Sequence, residues 1–305
     1  MRSGASRGAA RAARLATARL DPAWRRCVPR AWLEGWRTES CPLEGGETEV
    51  ARLGEGPPLL LLPPLPGWKE AWIACAARLA RRFRVVAVDL RACGHGARAW
   101  EGLLDDLERV ADAFAPGRAA VMGHSLGGAL AQRWALRRPG RVAALVLSST
   151  FARVTTRPGD RWARFGEQPL VLASQRWLPQ RAAFAIARRL AARGAWVYDR
   201  ACDDDVLRFV RFGIRCAPLR LAAERVRLAL EHDTRGELSA IACPTLVVRG
   251  EREGRFIRES AEELARLVPG AELRISPGVG HLHLLSGADW LCATLEEWLP
   301  ARLTA

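Results

Sequence analysis

The chain lacks any run of roughly 18 apolar residues, which argues against a membrane-spanning helix. Lysine is nearly absent: Lys69 is the single lysine among 47 basic residues, so all the others are arginines. These are scattered along the whole chain, and the net charge of +14 therefore does not indicate a nucleic-acid partner. The arginine bias, with abundant alanine, glycine and proline, is typical of GC-rich coding. We expect a soluble protein whose charge says little about its partners.

The eight cysteines include no C-x-x-C pair and no zinc-ligand spacing, and no secretory signal precedes them. They are predicted to be small buried hydrophobes or surface thiols in a reducing compartment, which favours a cytoplasmic location. We expect neither a metal nor an organic cofactor. A chain of 305 residues can bury roughly three quarters of its unfolded surface, so it does not need disulfides.

The N-terminal residues are arginine-rich and contain no acidic residue before Asp21, which is the composition of an organellar transit peptide. Their only sizeable apolar side chains, Leu15 and Leu20, give a poor amphipathic face. We therefore predict that residues 1–34 form a basic, poorly ordered extension.

Residues 123–127 read Gly-His-Ser-Leu-Gly and join a short apolar stretch to a stretch of good helix formers. This is the G-x-S-x-G pattern of a nucleophile elbow. A serine in a tight strand-to-helix turn needs neighbours without Cβ atoms, and Gly123 and Gly127 meet that need. The turn also directs the backbone N–H of Leu126 toward negative charge on the serine oxygen. We predict that Ser125 is a catalytic nucleophile rather than part of an ordinary turn.

Apolar segments alternate with helical patterns along most of the chain, as expected for βαβ units and a largely parallel sheet with helices on both faces. Between 153 and 238 the pattern is helical only, and one helix there carries an apolar stripe. We predict a core of residues 35–152 and 239–305, with residues 153–238 as a helical cap over the loop end of the sheet. The stripe consists of Leu219, Ala223, Val226 and Leu230. Predicted strands cover 36–41, 49–53, 59–62, 85–88, 119–122, 143–147, 244–250 and 272–275, and predicted helices cover 71–82, 103–114, 129–136, 258–267 and 288–299.

A serine nucleophile needs a base and a group that orients the base. The chain has five histidines: His95, His124, His232, His281 and His283. The first precedes the serine in the chain, the second lies in the elbow and points away, and the third ends a helix of the insertion. His281 and His283 follow the last strand in a glycine-rich loop. We predict that His281, directly after Gly280, is the base; His283 is the alternative, or else packs the loop against the final helix.

The orienting acid should lie between serine and histidine in the chain, after the strand before the last one. Glu253 lies just beyond the turn that Gly250 permits, and we predict that it is the acid. Glu251 is the second choice, and Asp160 is a distant third. Either glutamate could instead be an ordinary surface charge of a solvated turn.

With Ser125, Glu253 and His281 in this order on this strand pattern, residues 45–300 resemble the α/β-hydrolase family. The similarity is to its capped, esterase-like and lipase-like members. It implies the α/β-hydrolase fold, with a mostly parallel, doubly wound sheet and an inserted helical cap, and it implies serine hydrolase chemistry without specifying a substrate. The segments that carry the resemblance are 89–96, 123–128, 244–253 and 278–281.

The loop after the apolar segment 59–62 departs from the family pattern. Members commonly carry His-Gly there, and the next residue donates an oxyanion-hole N–H, whereas this chain has Pro63 and Pro64. Since proline has no N–H, we predict that the amide of Leu65 serves beside that of Leu126. One oxyanion donor contributes about 3 kcal/mol, so a misplaced Leu65 amide would slow the reaction by a factor of hundreds.

The Pro-Pro variant is similar to maspardin, a hydrolase-fold protein regarded chiefly as a binding partner of other proteins, which lacks a histidine at the position of His281. The leading hypothesis is a serine hydrolase that cleaves a small carboxylic ester or thioester through a Ser-His-Glu triad and an acyl-enzyme. Its expected partner is a small-molecule ester, with no nucleic acid. The alternative is a non-catalytic, maspardin-like adaptor that holds a protein partner. Cofactor-free lyases and C–C bond hydrolases use the same elbow and stay open.

Overall fold

The computed structural model describes residues 28–91, 97–155, 168–192 and 199–303. Within these residues, eight strands form one sheet in the order β1-β2-β4-β3-β5-β6-β7-β8. The strands are β1 Thr38–Leu43, β2 Gly46–Leu53, β3 Pro58–Leu62, β4 Arg84–Val88, β5 Ala119–His124, β6 Val142–Ser148, β7 Thr245–Gly250 and β8 Glu272–Ser276. Most of the predicted N-terminal extension, residues 1–27, lies outside the described residues.

Strands β3 to β8 pair in parallel, whereas β1 and β2 form an antiparallel hairpin and β2 pairs antiparallel with β4. The parallel strands therefore end at one edge of the sheet, and the loops that follow β3, β5, β6, β7 and β8 meet there. The predicted α/β class and its mostly parallel sheet are confirmed.

The central strands of the sheet, β3 to β7, are buried on both faces, as their apolar sequences require. In β3, Leu59 and Leu61 pack into one hydrophobic cluster, and Leu60 and Leu62 pack into the cluster on the opposite face. Successive side chains of a strand point to opposite faces, so an uninterrupted leucine run suits a strand with helices on each side.

The described helices cover these two faces, and most of their bounds differ by a few residues from the predicted ones. They are α1 Ile73–Leu79, α2 Ala97–Phe114, α3 Leu126–Arg137, α4 Gln168–Trp177, α5 Gln180–Ala192, α6 Asp204–Cys216, α7 Leu219–Glu231, α8 Arg255–Leu267, α9 His283–Ser286, α10 Ala288–Trp298 and α11 Pro300–Leu303. A short 3-10 helix, Lys69–Trp72, precedes α1. None of the helices in the described part of the chain is long and apolar enough to cross a bilayer.

Helices α4 to α7 lie between β6 and β7, and we refer to them as the helical insertion. The predicted apolar stripe does lie on one helix, α7, but it is exposed: Leu219 is 61% accessible. The buried face of α7 carries Arg225, because its guanidinium donates to the backbone carbonyls of Leu90, at 2.9 Å, and of Arg91. Periodicity identifies residues that share a helix face, but it does not show which face meets the core.

Candidate active site

Ser125 lies between β5 and α3 on a sharp turn with a φ of 53°. This left-handed conformation is strained for a residue with a side chain. The turn is compact enough that a Cβ on Gly123 would collide with the backbone of Gly127, and a Cβ on Gly127 would collide with the carbonyl of Leu62. The sequence pattern thus has the physical basis expected of it, since both glycines stand where backbones touch.

His281 lies in the loop after β8, and its Nδ1 is 3.2 Å from Oε2 of Glu253. The loop packs closely on the end of β7, because a Cβ on Gly250 would lie 2.5 Å from the carbonyl oxygen of Val279. The Arg252 N–H also donates to that carbonyl, at 2.8 Å. The structure therefore brings the predicted base and the predicted acid into contact.

Glu253 is 2% exposed, so its carboxylate depends on protein groups rather than water. One oxygen faces His281, and the other accepts a hydrogen bond from the hydroxyl of Ser149. Glu251, the second choice, is exposed and accepts a hydrogen bond from the Gly278 N–H at 2.6 Å. This hydrogen bond ties Glu251 to the turn of the histidine loop. Asp160 lies outside the described residues.

His283 and His124 are buried on either side of the Ser148 hydroxyl. His283 Nε2 is 2.8 Å and His124 Nδ1 is 2.9 Å from Ser148 Oγ. Burial lowers the pKa of His283 to about 4 and holds the pKa of His124 well below its usual value. Both imidazoles are therefore neutral near pH 7. Ser148 is fully buried, so its hydroxyl belongs to the packed interior. Ser125, by contrast, is partly exposed and open to an approaching substrate.

His232 caps the end of α7, where its Nδ1 accepts a hydrogen bond from the Arg133 Nε–H at 3.1 Å. Burial, followed by the positive charge of Arg133, lowers the pKa of His232 to about 3. It is a neutral structural histidine. His95 lies outside the described residues.

The two predicted oxyanion donors lie in the elbow and in the loop after β3. Leu126 is the first residue of α3, so its N–H has no acceptor within the helix. Leu65 lies in the loop after β3, is partly exposed, and belongs to a tight turn in which the Gly67 N–H donates to the Pro64 carbonyl at 2.7 Å. The end of β3 passes directly over Gly127, which brings this loop to the elbow.

Two buried contacts of the site were not predicted from the sequence. The Ser149–Glu253 hydrogen bond had a usable signal, because Ser149 directly follows β6 at the edge where β5 and β7 also end. The second contact joins the Asp199 carboxylate to the Gly280 N–H, across 81 residues. Asp199 lies in the helical insertion just before α6, and nothing in its local sequence indicates a partner in the histidine loop.

A hydroxyl on a strained turn, an imidazole and a buried carboxylate at one sheet edge are the parts of nucleophilic catalysis. The carboxylate can fix the imidazole through Nδ1, which leaves Nε2 for a proton from an alcohol. The start of α3 adds backbone N–H groups and the positive end of a helix dipole for an oxyanion. In the described ranges, no group of three or more His, Cys, Asp or Glu side chains is arranged to hold a metal ion.

Comparison with known proteins gives consistent matches over most of the chain. A family model described as the alpha/beta hydrolase fold matches residues 57–288. The pimeloyl-[acyl-carrier protein] methyl ester esterase of Nitrosospira multiformis is 31% identical, over 82% of this chain and 97% of that protein. The enzyme of the same name from Nitrosomonas europaea is 30% identical, over 78% of this chain and 93% of that protein. A thermophilic esterase from Thermogutta terrifontis has a similar structure, with a TM-score of 0.68, 26% identity, and coverage of 88% of this chain and 98% of that one.

Proposed function

Since the chain belongs to the α/β hydrolase fold family and is a hydrolase of ester bonds, we propose that Ser125, His281 and Glu253 form its catalytic triad. The observation that carries the proposal is the buried Glu253–His281 contact, at 3.2 Å, on the sheet edge that presents the strained Ser125. In the field of a buried carboxylate, the imidazole keeps the tautomer that leaves Nε2 able to accept a proton.

In the proposed reaction, Ser125 Oγ attacks the ester carbonyl while His281 Nε2 takes the hydroxyl proton. The backbone N–H groups of Leu65 and Leu126 donate to the oxyanion that forms. The intermediate then collapses, and His281 returns the proton to the departing alkoxide, which leaves as an alcohol. A water molecule, deprotonated by the same imidazole, hydrolyses the acyl-enzyme and regenerates Ser125.

The substrate that we propose is a methyl ester of a carboxylic acid, which would release methanol. The support is the name shared by the Nitrosospira multiformis and Nitrosomonas europaea relatives, each of which this chain matches over more than nine tenths of that relative's length. Those two relatives are named for a methyl ester carried on acyl-carrier protein. They give no support to the adaptor alternative.

We further propose that the helical insertion acts as a cap over the loop end of the sheet. Two buried contacts tie it to that edge. Asp199 accepts a hydrogen bond from the backbone of Gly280, beside His281, and Arg225 donates to the carbonyls that follow β4.

The cytoplasmic location predicted from the cysteines stays a prediction.

The test is covalent labelling by a fluorophosphonate probe, together with hydrolysis of p-nitrophenyl esters of graded chain length and of dimethyl pimelate. We expect the wild-type protein to be labelled, and Ser125→Ala to lose labelling and hydrolysis. Ser40→Ala is the matched control, because Ser40 is exposed on β1, where its hydroxyl donates to Glu47. Folded wild-type protein that neither reacts with the probe nor cleaves any ester would contradict the proposal. Cleavage of short p-nitrophenyl esters without methanol release would contradict the methyl ester substrate alone.

A further inference from the structure

Three consecutive hydroxyl residues, Ser148, Ser149 and Thr150, follow one another at the carboxyl end of β6, and we call them the hydroxyl tripeptide. Their side chains are buried, with exposures of 0%, 0% and 1%. The proposed reaction uses none of the three. Buried hydroxyls need hydrogen-bond partners, so the partners of these groups show what the segment does.

Together, the members of the hydroxyl tripeptide bind the three segments that carry the candidate site residues. The Thr150 hydroxyl donates to the backbone carbonyl of Ser125 at 2.7 Å. The Ser149 hydroxyl donates to the carboxylate of Glu253. Ser148 Oγ is hydrogen-bonded to the rings of His124, which directly precedes Ser125, and of His283, which follows His281 by two positions.

The backbone of the same segment adds two further ties. The Ser125 N–H donates to the carbonyl of Ser148 at 2.9 Å, and the Ser149 N–H donates to the carbonyl of Val248, in β7, at 2.7 Å. Ser149 has a φ of 45°, a left-handed conformation that costs free energy in a residue with a Cβ. Thr150 packs so tightly on α3 that a Cβ added to Gly128 would lie 2.5 Å from the Cβ of Thr150.

We propose that the hydroxyl tripeptide is the positioning element that holds the nucleophile, acid and histidine loops in register, and that Ser149 acts on the chemistry through Glu253. The inference rests on the triad proposed above. By binding one oxygen of Glu253, Ser149 fixes the rotation of the carboxylate and leaves the other oxygen aligned with His281 Nδ1. A hydrogen bond to an ionised group is among the stronger ones in proteins, so its loss should be felt in the catalytic step.

The experiment compares Ser149→Ala and Ser149→Gly with wild type in the hydrolysis of p-nitrophenyl butyrate. Both variants lack the hydroxyl, but glycine adopts the positive φ without strain, so it separates loss of the hydrogen bond from a folding defect. We expect both to lower kcat by about 10-fold to 100-fold and to change KM by less than about twofold. The control is Ser40→Ala, which removes another serine–glutamate hydrogen bond, between β1 and β2 at 2.6 Å, and should keep wild-type kcat.

A second readout is the downfield proton resonance of His281 Nδ1, identified by its loss in His281→Gln. We expect Ser149→Ala to shift or broaden this signal, whereas Ser40→Ala leaves it unchanged. Wild-type kcat in Ser149→Ala, or recovery of kcat in Ser149→Gly, would overturn the inference while leaving the proposed function intact. A wild-type protein that is neither labelled by the fluorophosphonate nor active on esters would instead overturn the proposed function, and the positioning role with it.

Discussion

The carboxylate of Asp199 accepts a hydrogen bond from the backbone N–H of Gly280, so the helical insertion holds the residue that precedes His281. The other carboxylate oxygen of Asp199 accepts from the Ala201 N–H at 2.7 Å. Asp199 is 4% exposed, and a Cβ on Gly280 would lie 2.9 Å from its carboxylate. The position of the candidate base therefore depends on a group outside the sheet core.

Asp199→Ala should reduce both stability and activity. The substitution leaves the buried Gly280 N–H without its acceptor, which costs about 1–3 kcal/mol. We expect a lower urea midpoint. We also expect kcat to fall by a larger factor than KM changes. Asp204→Ala is the control, because Asp204 pairs with Arg188 on the exposed surface of the same insertion. Equal effects of the two substitutions would contradict a special role for Asp199.

Gly250→Ala should strongly reduce activity. The added methyl group would lie 2.5 Å from the Val279 carbonyl and 2.6 Å from the Gly280 carbonyl, so the histidine loop must shift. A misplacement of about 1 Å near the reacting groups lowers kcat by about 100-fold. Steady-state kinetics would measure the loss, with Gly140→Ala as the control, because a Cβ at Gly140 meets nothing within 4 Å. Unchanged kcat in Gly250→Ala would show that the loop position is not critical.

Stability should fall between pH 6.5 and 4. Burial lowers the folded-state pKa of His283 to about 4, whereas in the unfolded chain this histidine titrates near 6.5. The unfolded chain thus binds more protons in this window, so the free energy of unfolding is fully present above pH 6.5 and is lost as pH falls. His283 alone accounts for about 2 kcal/mol at pH 5. Urea unfolding at several pH values would measure the slope, and His283→Gln, which does not titrate, should reduce it. An equal slope in the variant would contradict this assignment.

Lys69→Met should be strongly destabilising. The ammonium of this single lysine is fully buried beside the carboxylates of Glu49, at 2.8 Å, Asp89, at 3.1 Å, and Glu70, at 3.2 Å. Burial opposes its charge, but these carboxylates together outweigh burial and raise the pKa of Lys69. Removing the cation leaves buried negative charges without compensation, which costs about 3–5 kcal/mol.

The measurement for Lys69→Met is the midpoint of urea unfolding at pH 7. Arg220→Met is the control, because it breaks an ion pair with Glu224 in which the arginine side chain is 92% exposed, and little change is expected there. If both variants unfolded at the wild-type midpoint, the buried cluster would not contribute to stability.

Local patterns were sufficient to predict the strands and the turn that carries Ser125. The elbow could be predicted because the close approach that requires Gly123 and Gly127 occurs within a few residues of Ser125 and recurs wherever this turn is built. The hydrogen bond between Ser149 and Glu253 spans 104 residues, and its geometry depends on a strained backbone that no local pattern indicates. The buried face of α7 was unpredictable for a similar reason, because Arg225 finds its carbonyl partners on a distant loop.

The packing of Thr150 against Gly128 also limits which sequences this protein can reach by mutation. Alanine would favour helix α3 by about 1 kcal/mol over glycine, yet its methyl group would overlap the Cβ of Thr150. Only a glycine at position 150 would make room, and that change would take away the hydroxyl bound to the carbonyl of Ser125. Thr150 therefore constrains Gly128: as long as position 150 keeps the hydroxyl that binds the elbow, position 128 has to stay glycine.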